Sequence, residues 1–586
     1  MTPAPPAARQ DVSNVLVVGS GAAGSRAAIA AYDEGVDVKV VGKRARNDAH
    51  TVLAAGGINA VLGTHDPDDS FEQHAADTLA EGYLLGDPRF VELLVEEAPR
   101  AIEELEEWGC AFARTEDGRI DQRYFGAHTY RRTCYAGDYT GRAIQNAVTE
   151  RVASLGIDVV DHVYVSELLV EDGRCFGAMG FDVRTGERIV FLADAVVLAA
   201  GGHTRLWRRS SSRRDENTGD AMALALRAGA TLADMELVQF HPTGMVHPEE
   251  WAGVLVTEAV RGEGGRLYNA DGDRFMERYD PDRLELSTRD RVALANYTEI
   301  EEGRGGPNGG VYLDVSHIGR DALLEKLPRM YRQFLDTQML DIASDPMEVA
   351  PTAHYSMGGV RVVPDTGETD VEGLFAAGEA TAGLHGANRL GGNSLAETIV
   401  FGRRAGEAAA AFSNRQDVQL RSRAVLSAAH DALDALVSDG DEFARPLQRA
   451  VRNEVWRTAG VVRTEDTIDE GLARLREIRE AASRVDVRPS SEGWGDLAHV
   501  LDLRAGLVAA EATLLGAKQR RETRGAHFRS DYPELDADLR VRITVRLDVD
   551  GSLVTDQTAI PEIPDRLQPM VERAAGMDAD AGRLLE

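Results

Sequence analysis

The chain has 586 residues, too many for one hydrophobic core, and its length predicts about three to four domains. Its 65 basic and 97 acidic residues leave a net charge of −32, a field that repels phosphates and excludes nucleic acid as a partner. The composition is globular, no apolar run approaches the roughly 18 residues of a membrane span, and MTPAPPAARQDVSN lacks a basic-then-apolar signal pattern, so a cytoplasmic chain is expected.

The first element is an apolar run, NVLVV from Asn14, which predicts a buried parallel strand; GSGAAGSRAAIAAYDEG then reads as a glycine turn and an alanine-rich helix. Gly19, Gly21 and Gly24 fit GxGxxG: one for the tight turn, one for approach of backbone to a pyrophosphate, one for close helix–strand packing. A second strand, VDVKVVGK, completes a βαβ unit, but Val41-Gly42-Lys43 stands where an acidic residue takes the ribose of NAD. That departure argues against NAD and leaves FAD needing its contacts from elsewhere in the chain.

Next comes NDAHTVLAAGGIN, in which His50 stands among small residues. Further on, DAVVLAAGGHTRLW from Asp194 reads as another strand ending in Gly201-Gly202. QFHPTG places His241 after an apolar stretch and before a proline expected to stop regular structure. LVTEAVRGEGG supplies Thr257 and Glu258, STRD supplies Arg289, and PTAHYSMGG supplies His354. EEGRGGPNGGVY from Glu301 reads as a flexible turn. From Val371, VEGLFAAGEATAGLHGANRLGGNSLAETIVFGRRAGEAAAA again runs strand, glycine-rich loop, helix, with Glu379, Arg389, Ser394 and Leu395 as candidate contacts.

The C-terminal third reads as helical, with AVLSAAHDALDALV and LARLREIREAA apolar at three- and four-residue spacing. LRVRITVRLDVDGSLVTDQTAI alternates around Asp550-Gly551 as a hairpin, and DRLQPMVERAAGMDADAGRLLE ends the chain as a short helix and acidic tail. Cys110, Cys134 and Cys175 are scattered without a CxxC, so neither a disulfide framework nor a cysteine-held cluster is supported, and no metal site is expected. Lys39, Lys43, Lys326 and Lys518 are the only lysines, and this acidic, arginine-rich surface resembles that of proteins from salt-rich cytoplasm.

In this order GSGAAG, HTVLAAGGINA, NTGDAMALALRAGA, QFHPTG, STRD, PTAHYSMGGV, GLFAAGEA, HGANRLGGNSL and RGAHFRSDYPE resemble the succinate dehydrogenase/fumarate reductase flavoprotein family, which also contains L-aspartate oxidase. The resemblance covers nearly the whole length. It implies an α/β FAD-binding Rossmann-like domain in two pieces, residues 1–242 and 352–415, with an inserted α+β capping domain over 243–351. A helical bundle domain over 416–535 and a small C-terminal β-containing segment over 536–586 follow.

The resemblance also implies roles. His50 stands where the family's dehydrogenases and reductases bond covalently to the flavin's 8α-methyl carbon, although Asp48-Ala49 and Ala55 depart from the usual flanks. Ala22, Lys43, Thr51, Gly56, Gly57 and Asp220 complete the cofactor contacts. His354 and Arg389 would hold one carboxylate of a four-carbon dicarboxylate, with His241 and Thr257 holding the other by charge-assisted bonds. Hydride passes between flavin N5 and one carbon, while Arg289 moves the proton at the next and Glu258 relays it. Gly244 after HPT and Gly391-Gly392 after NRL, with His50, separate the chain from aspartate oxidases. The family further implies an iron–sulfur subunit and a membrane anchor, placing the chain on the inner face of the cell membrane. A flavin-binding scaffold without catalysis has no reason to keep the dicarboxylate residues.

Overall fold

The structure, a computed structural model, describes residues 9–488 and 494–576; the predicted start of the chain and its acidic tail lie outside them. Its centre is a parallel sheet of β1 (Val15–Val18), β2 (Val38–Gly42), β3 (Asp158–Asp161), β4 (Ala195–Leu198) and β5 (Leu374–Ala376), in the order β5-β4-β1-β2-β3. Every residue of β1 is buried, as its unbroken VLVV requires of a strand covered on both faces. Because β2 and β4 flank β1 on opposite sides, a crevice opens at the carboxyl end of β1, where ligands bind in such sheets.

Two helices fix that crevice. Helix α1 (Ala22–Asp33) follows β1, and α2 (Asn393–Ser413) follows β5 and crosses α1. Their backbones meet closely: a Cβ at Gly402 would stand 2.6 Å from the Ala23 carbonyl oxygen, and one at Gly406 2.2 Å from that of Ala27. Glycine and alanine are therefore needed along this crossing, which ties the two halves of the predicted nucleotide unit together. A second sheet, ordered Arg9–Val12, Arg188–Leu192, Arg174–Asp182 and Val163–Glu171, backs the first.

The insertion is entered and left on one antiparallel pair, Val238–Met245 against Met347–Ser356, with His241 opposite Thr352. The boundaries read near residues 242 and 351 thus fall inside paired strands. Pro242 does not end regular structure as expected: the strand runs on to Met245, and a register break between His241 and Gly244 absorbs the proline's missing donor. Val311–Asp314 and Arg266–Tyr268 extend this sheet over a separate core containing Phe275, Met276 and Phe334. The stretch from Glu301 is a turn only in its second half, where the Gly309 N–H donates to the Gly306 carbonyl oxygen at 3.0 Å. Ile300–Arg304 continues the helix Arg289–Glu299 as a wider turn, held by Arg304 Nε on Glu299 Oε2 at 2.6 Å.

Helices Arg423–Asp434, Ala444–Thr458, Glu465–Ala482 and Gly495–Gln519 form the helical part. The predicted hairpin is present as Val541–Leu547 against Leu553–Ala559, turning at Gly551 with φ 82°. Its first strand pairs with Leu232–Ala233, so the C-terminal segment closes back on the nucleotide domain, and the helix Gln568–Gly576 lies on Phe71–Glu81. All three cysteines are buried thiols, and no described helix is long and apolar enough to cross a membrane.

Candidate active site

One cavity of about 270 Å³ runs from the glycine turn after β1 to the capping sheet. Of the predicted cofactor residues Gly19, Gly21, Ala22, Lys43, His50, Thr51, Gly56, Gly57, Asp220, Glu379, Ser394 and Leu395 line it. Gly24 does not; a Cβ there would lie 1.9 Å from the Gly19 carbonyl oxygen, which makes it a packing glycine. Gly19 adopts φ 121° and its own Cβ would strike Ala199 O at 2.1 Å, so the turn closes only with glycine. Gly21 begins α1 without a side-chain cap, and the Ala22 N–H donates to Thr51 Oγ1 at 3.1 Å. A helix start left uncapped by its own residue and facing a cavity fits the pyrophosphate of a dinucleotide.

Lys43 closes the far end. Its Nζ reaches Asp220 Oδ2 at 2.7 Å, Asp502 Oδ1 at 3.1 Å and Thr218 Oγ1 at 3.3 Å, and lies over the Tyr164 ring. Burial opposes the charge, but Asp220 and Asp502 outweigh it and hold the ammonium above the ordinary lysine range. Beside β5, Glu379 accepts from Asn217 Nδ2 at 3.2 Å and from the Ser356 N–H at 3.1 Å; burial pushes its carboxyl up.

His50 sits at the opposite rim, its side chain 29% exposed, with Nδ1 3.3 Å from Glu216 Oε2. Burial lowers its proton affinity but Glu216 and Glu379 raise it by more, so the ring sits above the ordinary histidine value. Glu216 is in turn 3.6 Å from both Arg44 and Arg213.

Toward the cap, His241, Thr257, Glu258, Arg289, His354 and Arg389 all face the same cavity. Arg289 donates through Nε and Nη2 to Glu258 Oε2 at 2.8 and 2.6 Å, a pairing that keeps the guanidinium in one plane. Burial would raise the Glu258 carboxyl, but Arg289 and Arg261 pull it down to about 2. Arg261 stands 3.9 Å behind Glu258, anchored by Nη1 on the Glu285 carbonyl oxygen at 2.6 Å. The rings of His241 and His354 meet edge to face at 5.4 Å, and Ser211 Oγ lies 2.9 Å from His354 Nδ1. Burial, then the neighbouring arginines for His241 and His241 itself for His354, holds both imidazoles neutral, well below the ordinary value.

Two residues passed over in the sequence organise this end. Gln239 Oε1 accepts from Arg289 Nη1 and from Arg389 Nη2, both at 3.0 Å, and its amide donates to Asn388 and to the Arg389 carbonyl oxygen. Tyr355 lies under the Arg389 guanidinium at 4.5 Å and donates its hydroxyl to Glu397. Both belong to motifs already singled out, QFHPTG and PTAHYSMGG; being uncharged, they carried no signal of their own. Glu216, in RRDENTGD, was likewise visible only through its contact with His50.

Known proteins resemble the chain along nearly its whole length. A family profile described as FAD binding domain matches residues 14–395, and one described as fumarate reductase flavoprotein C-term matches 448–556. A fumarate reductase (CoM/CoB) subunit from Methanothermobacter marburgensis is 46% identical, over 89% of this chain and 94% of its own. A succinate dehydrogenase flavoprotein subunit from Rickettsia conorii is 37% identical, over 93% of this chain and 94% of its own. Among solved structures, Mycobacterium smegmatis Sdh1 in complex with UQ1 superposes with a TM-score of 0.88 at 39% identity, covering 95% of this chain and 96% of that one. A quinol-fumarate reductase with menaquinol superposes with a TM-score of 0.89 at 34% identity, covering 94% and 99%.

Proposed function

The chain belongs to the succinate dehydrogenase and fumarate reductase flavoprotein family, an FAD-dependent oxidoreductase family, and on that premise we propose that it interconverts succinate and fumarate. The observation that carries the reading is Arg289 held between Glu258 and Gln239 at the mouth of a pocket walled by two neutral histidines and Arg389. Bound FAD supplies the acceptor and donor of hydride. Gly19, Gly21, Ala22 and Thr51 would hold its diphosphate, with Lys43, Asp220 and Glu379 lining the same cavity and Ser394 and Leu395 at the start of α2.

A dicarboxylate needs donors at both ends. Arg389 and His354 serve one carboxylate and His241 with Thr257 the other, all within a buried site where charge-assisted bonds are strongest. Arg289 gives or takes the proton at the carbon facing it. Glu258, ionised and in contact, moves that proton onward, with the buried Arg261 behind it as its next charged neighbour. The cap carrying Thr257, Glu258 and Arg289 excludes water from the transfer.

Three glycines bear on the choice between succinate and L-aspartate, both four-carbon dicarboxylates, because they stand where aspartate oxidases commonly carry side chains. A Cβ at Gly391 would sit 3.0 Å from Arg289 Nη2, one at Gly244 2.8 Å from Thr352 Cβ, and Gly392, at φ 88°, leaves 2.1 Å to Asn59 Oδ1. Side chains at these positions reshape the seat of Arg289 and the strand carrying His241.

His50 is the proposed covalent attachment point, raising the flavin potential enough to oxidise succinate. An iron–sulfur subunit takes the electrons onward to a membrane-anchored partner on the inner face, since the described residues hold no cluster ligands. A second reading, operation in the direction of fumarate reduction, is favoured by the 46% identical relative named a fumarate reductase (CoM/CoB) subunit. Purified chain, acid-denatured and run on a gel, is expected to keep yellow fluorescence that His50→Ala loses, and to oxidise succinate rather than L-aspartate with a dye acceptor. Aspartate turnover with released flavin would replace this reading by aspartate oxidase.

A further inference from the structure

The segment between β4 and the helix Asp220–Ala228 carries RLWRRSSSRRD, an island of positive charge in a chain of net charge −32. Arg205 and Arg214 from this segment and Arg452 from the helix Ala444–Thr458 line one small pocket together with Thr218, Gln448 and Gly506. Among the described residues none of the three guanidiniums has an ion pair or a side-chain hydrogen bond, and Arg205 Nε is buried without any partner. Arginines nearby have a carboxylate where these three do not: Arg44 takes Asp215, Arg213 takes Asp48, Arg289 takes Glu258. Asp215, the carboxylate in reach of Arg205, is thus already engaged by Arg44. Burial and then the mutual repulsion of Arg452 and Arg214 weaken the hold of Arg205 on its proton, and Arg449 adds to the repulsion on Arg452.

Like charges gathered in a half-buried pocket, with an orphaned donor, call for an anion. We propose that Arg205, Arg214 and Arg452 form a binding site for a small inorganic oxyanion of the phosphate class, distinct from the dicarboxylate site. The pocket, about 20 Å³ and open to solvent, admits an anionic head. Asp502 also borders the pocket, but its Oδ1 is taken by Lys43 and Tyr164, so its charge is neutralised from the other side.

The site is coupled to the cofactor cavity through shared residues. Thr218 and Asp502 contact Lys43, and Glu216, two residues before Thr218, contacts His50. An anion seated on Arg205 therefore pins the segment that supplies partners to both ends of that cavity. The anion acts as a structural brace.

Calorimetric titration of the holoenzyme with inorganic phosphate at constant ionic strength, chloride serving as the exchanged ion, tests this. One phosphate per chain is expected, with a rise in thermal midpoint and an affinity lowered by at least about tenfold in Arg452→Gln and in the exposed Arg214→Gln, one charge-assisted hydrogen bond each. Flavin content and succinate–dye turnover in the absence of phosphate report that both variants are folded. Absence of saturable heat in the wild type, or equal affinity in folded variants, overturns the proposal; a docking surface for an acidic protein face would give that result.

Discussion

Replacing Gln239 by methionine removes one neutral amide and keeps the length of the side chain, and it acts on two cations at once. The Gln239 carbonyl oxygen accepts from Arg289 Nη1 and Arg389 Nη2, each at 3.0 Å, so it fixes the spacing between the proton-moving arginine and the carboxylate-binding one. A hydrogen bond to a charged group contributes roughly 1.5–3 kcal/mol, so the pair is worth about 3–6 kcal/mol in the wild type. Part of that loss falls equally on free enzyme and on substrate complex. If about 3 kcal/mol is specific to the transition state, kcat/KM drops about 10²-fold, at roughly 1.4 kcal/mol per decade. The assay is steady-state succinate oxidation with a dye acceptor on preparations matched for flavin content. Loss at Arg389 shows as higher KM, loss at Arg289 as lower kcat, and both are expected. A flavin-loaded Gln239→Met variant within threefold of wild-type kcat/KM would refute the bridging role.

The remaining expectations are more direct. Glu258→Gln keeps an oxygen for Arg289 to bond but removes the base, so kcat falls by about 10²–10⁴ while KM moves only a few-fold; a variant whose change lies in KM alone contradicts the relay. Because Glu258 sits at about 2, wild-type kcat should show no acid limb from it between pH 5 and 8. Gly24→Ala drives a methyl into the Gly19 carbonyl at 1.9 Å and should abolish flavin retention, read from the absorbance of the purified protein. Stability falls on acidification for a stated reason. His74, His128, His203, His241 and His527 are buried and His354 half-buried, all with lowered proton affinity chiefly through desolvation, so below the unfolded value near 6.5 the unfolded chain binds the extra protons. Each such group contributes up to about 1.4 kcal/mol per pH unit, so the denaturation midpoint should drop steeply from pH 6.5 to 5.5; a flat profile means these rings are protonated in the fold.

What could be read from the sequence divides along physical lines. The glycine turn, the alanine-rich helices and the hairpin were legible because their constraints are local: Gly19 at φ 121° and Gly551 at φ 82° are required by backbone geometry alone. Charged and aromatic-nitrogen residues of the site were legible because burying such groups demands a reason, and the structure brings His241, Arg289, His354 and Arg389 to one cavity. Gln239 and Tyr355 gave no such signal, since their importance lies in partners about 34 to 150 residues away. Pro242 and the first residues of the Glu301 stretch were misjudged for a related reason. A bulge in a paired strand and an ion pair from Arg304 to Glu299 override the local tendency of proline and glycine to break structure. The Lys43 cluster was also hidden, because Asp502 comes from the helix Gly495–Gln519, remote in sequence from the glycine turn it supports.

The most direct test of succinate–fumarate interconversion is an anaerobic titration of the flavin-loaded chain followed by visible absorbance. Succinate should bleach the oxidised flavin band and fumarate should restore it, with both responses abolished in Arg289→Gln that retains its flavin. A flavin that answers to neither dicarboxylate, while L-aspartate bleaches it, would contradict the assignment.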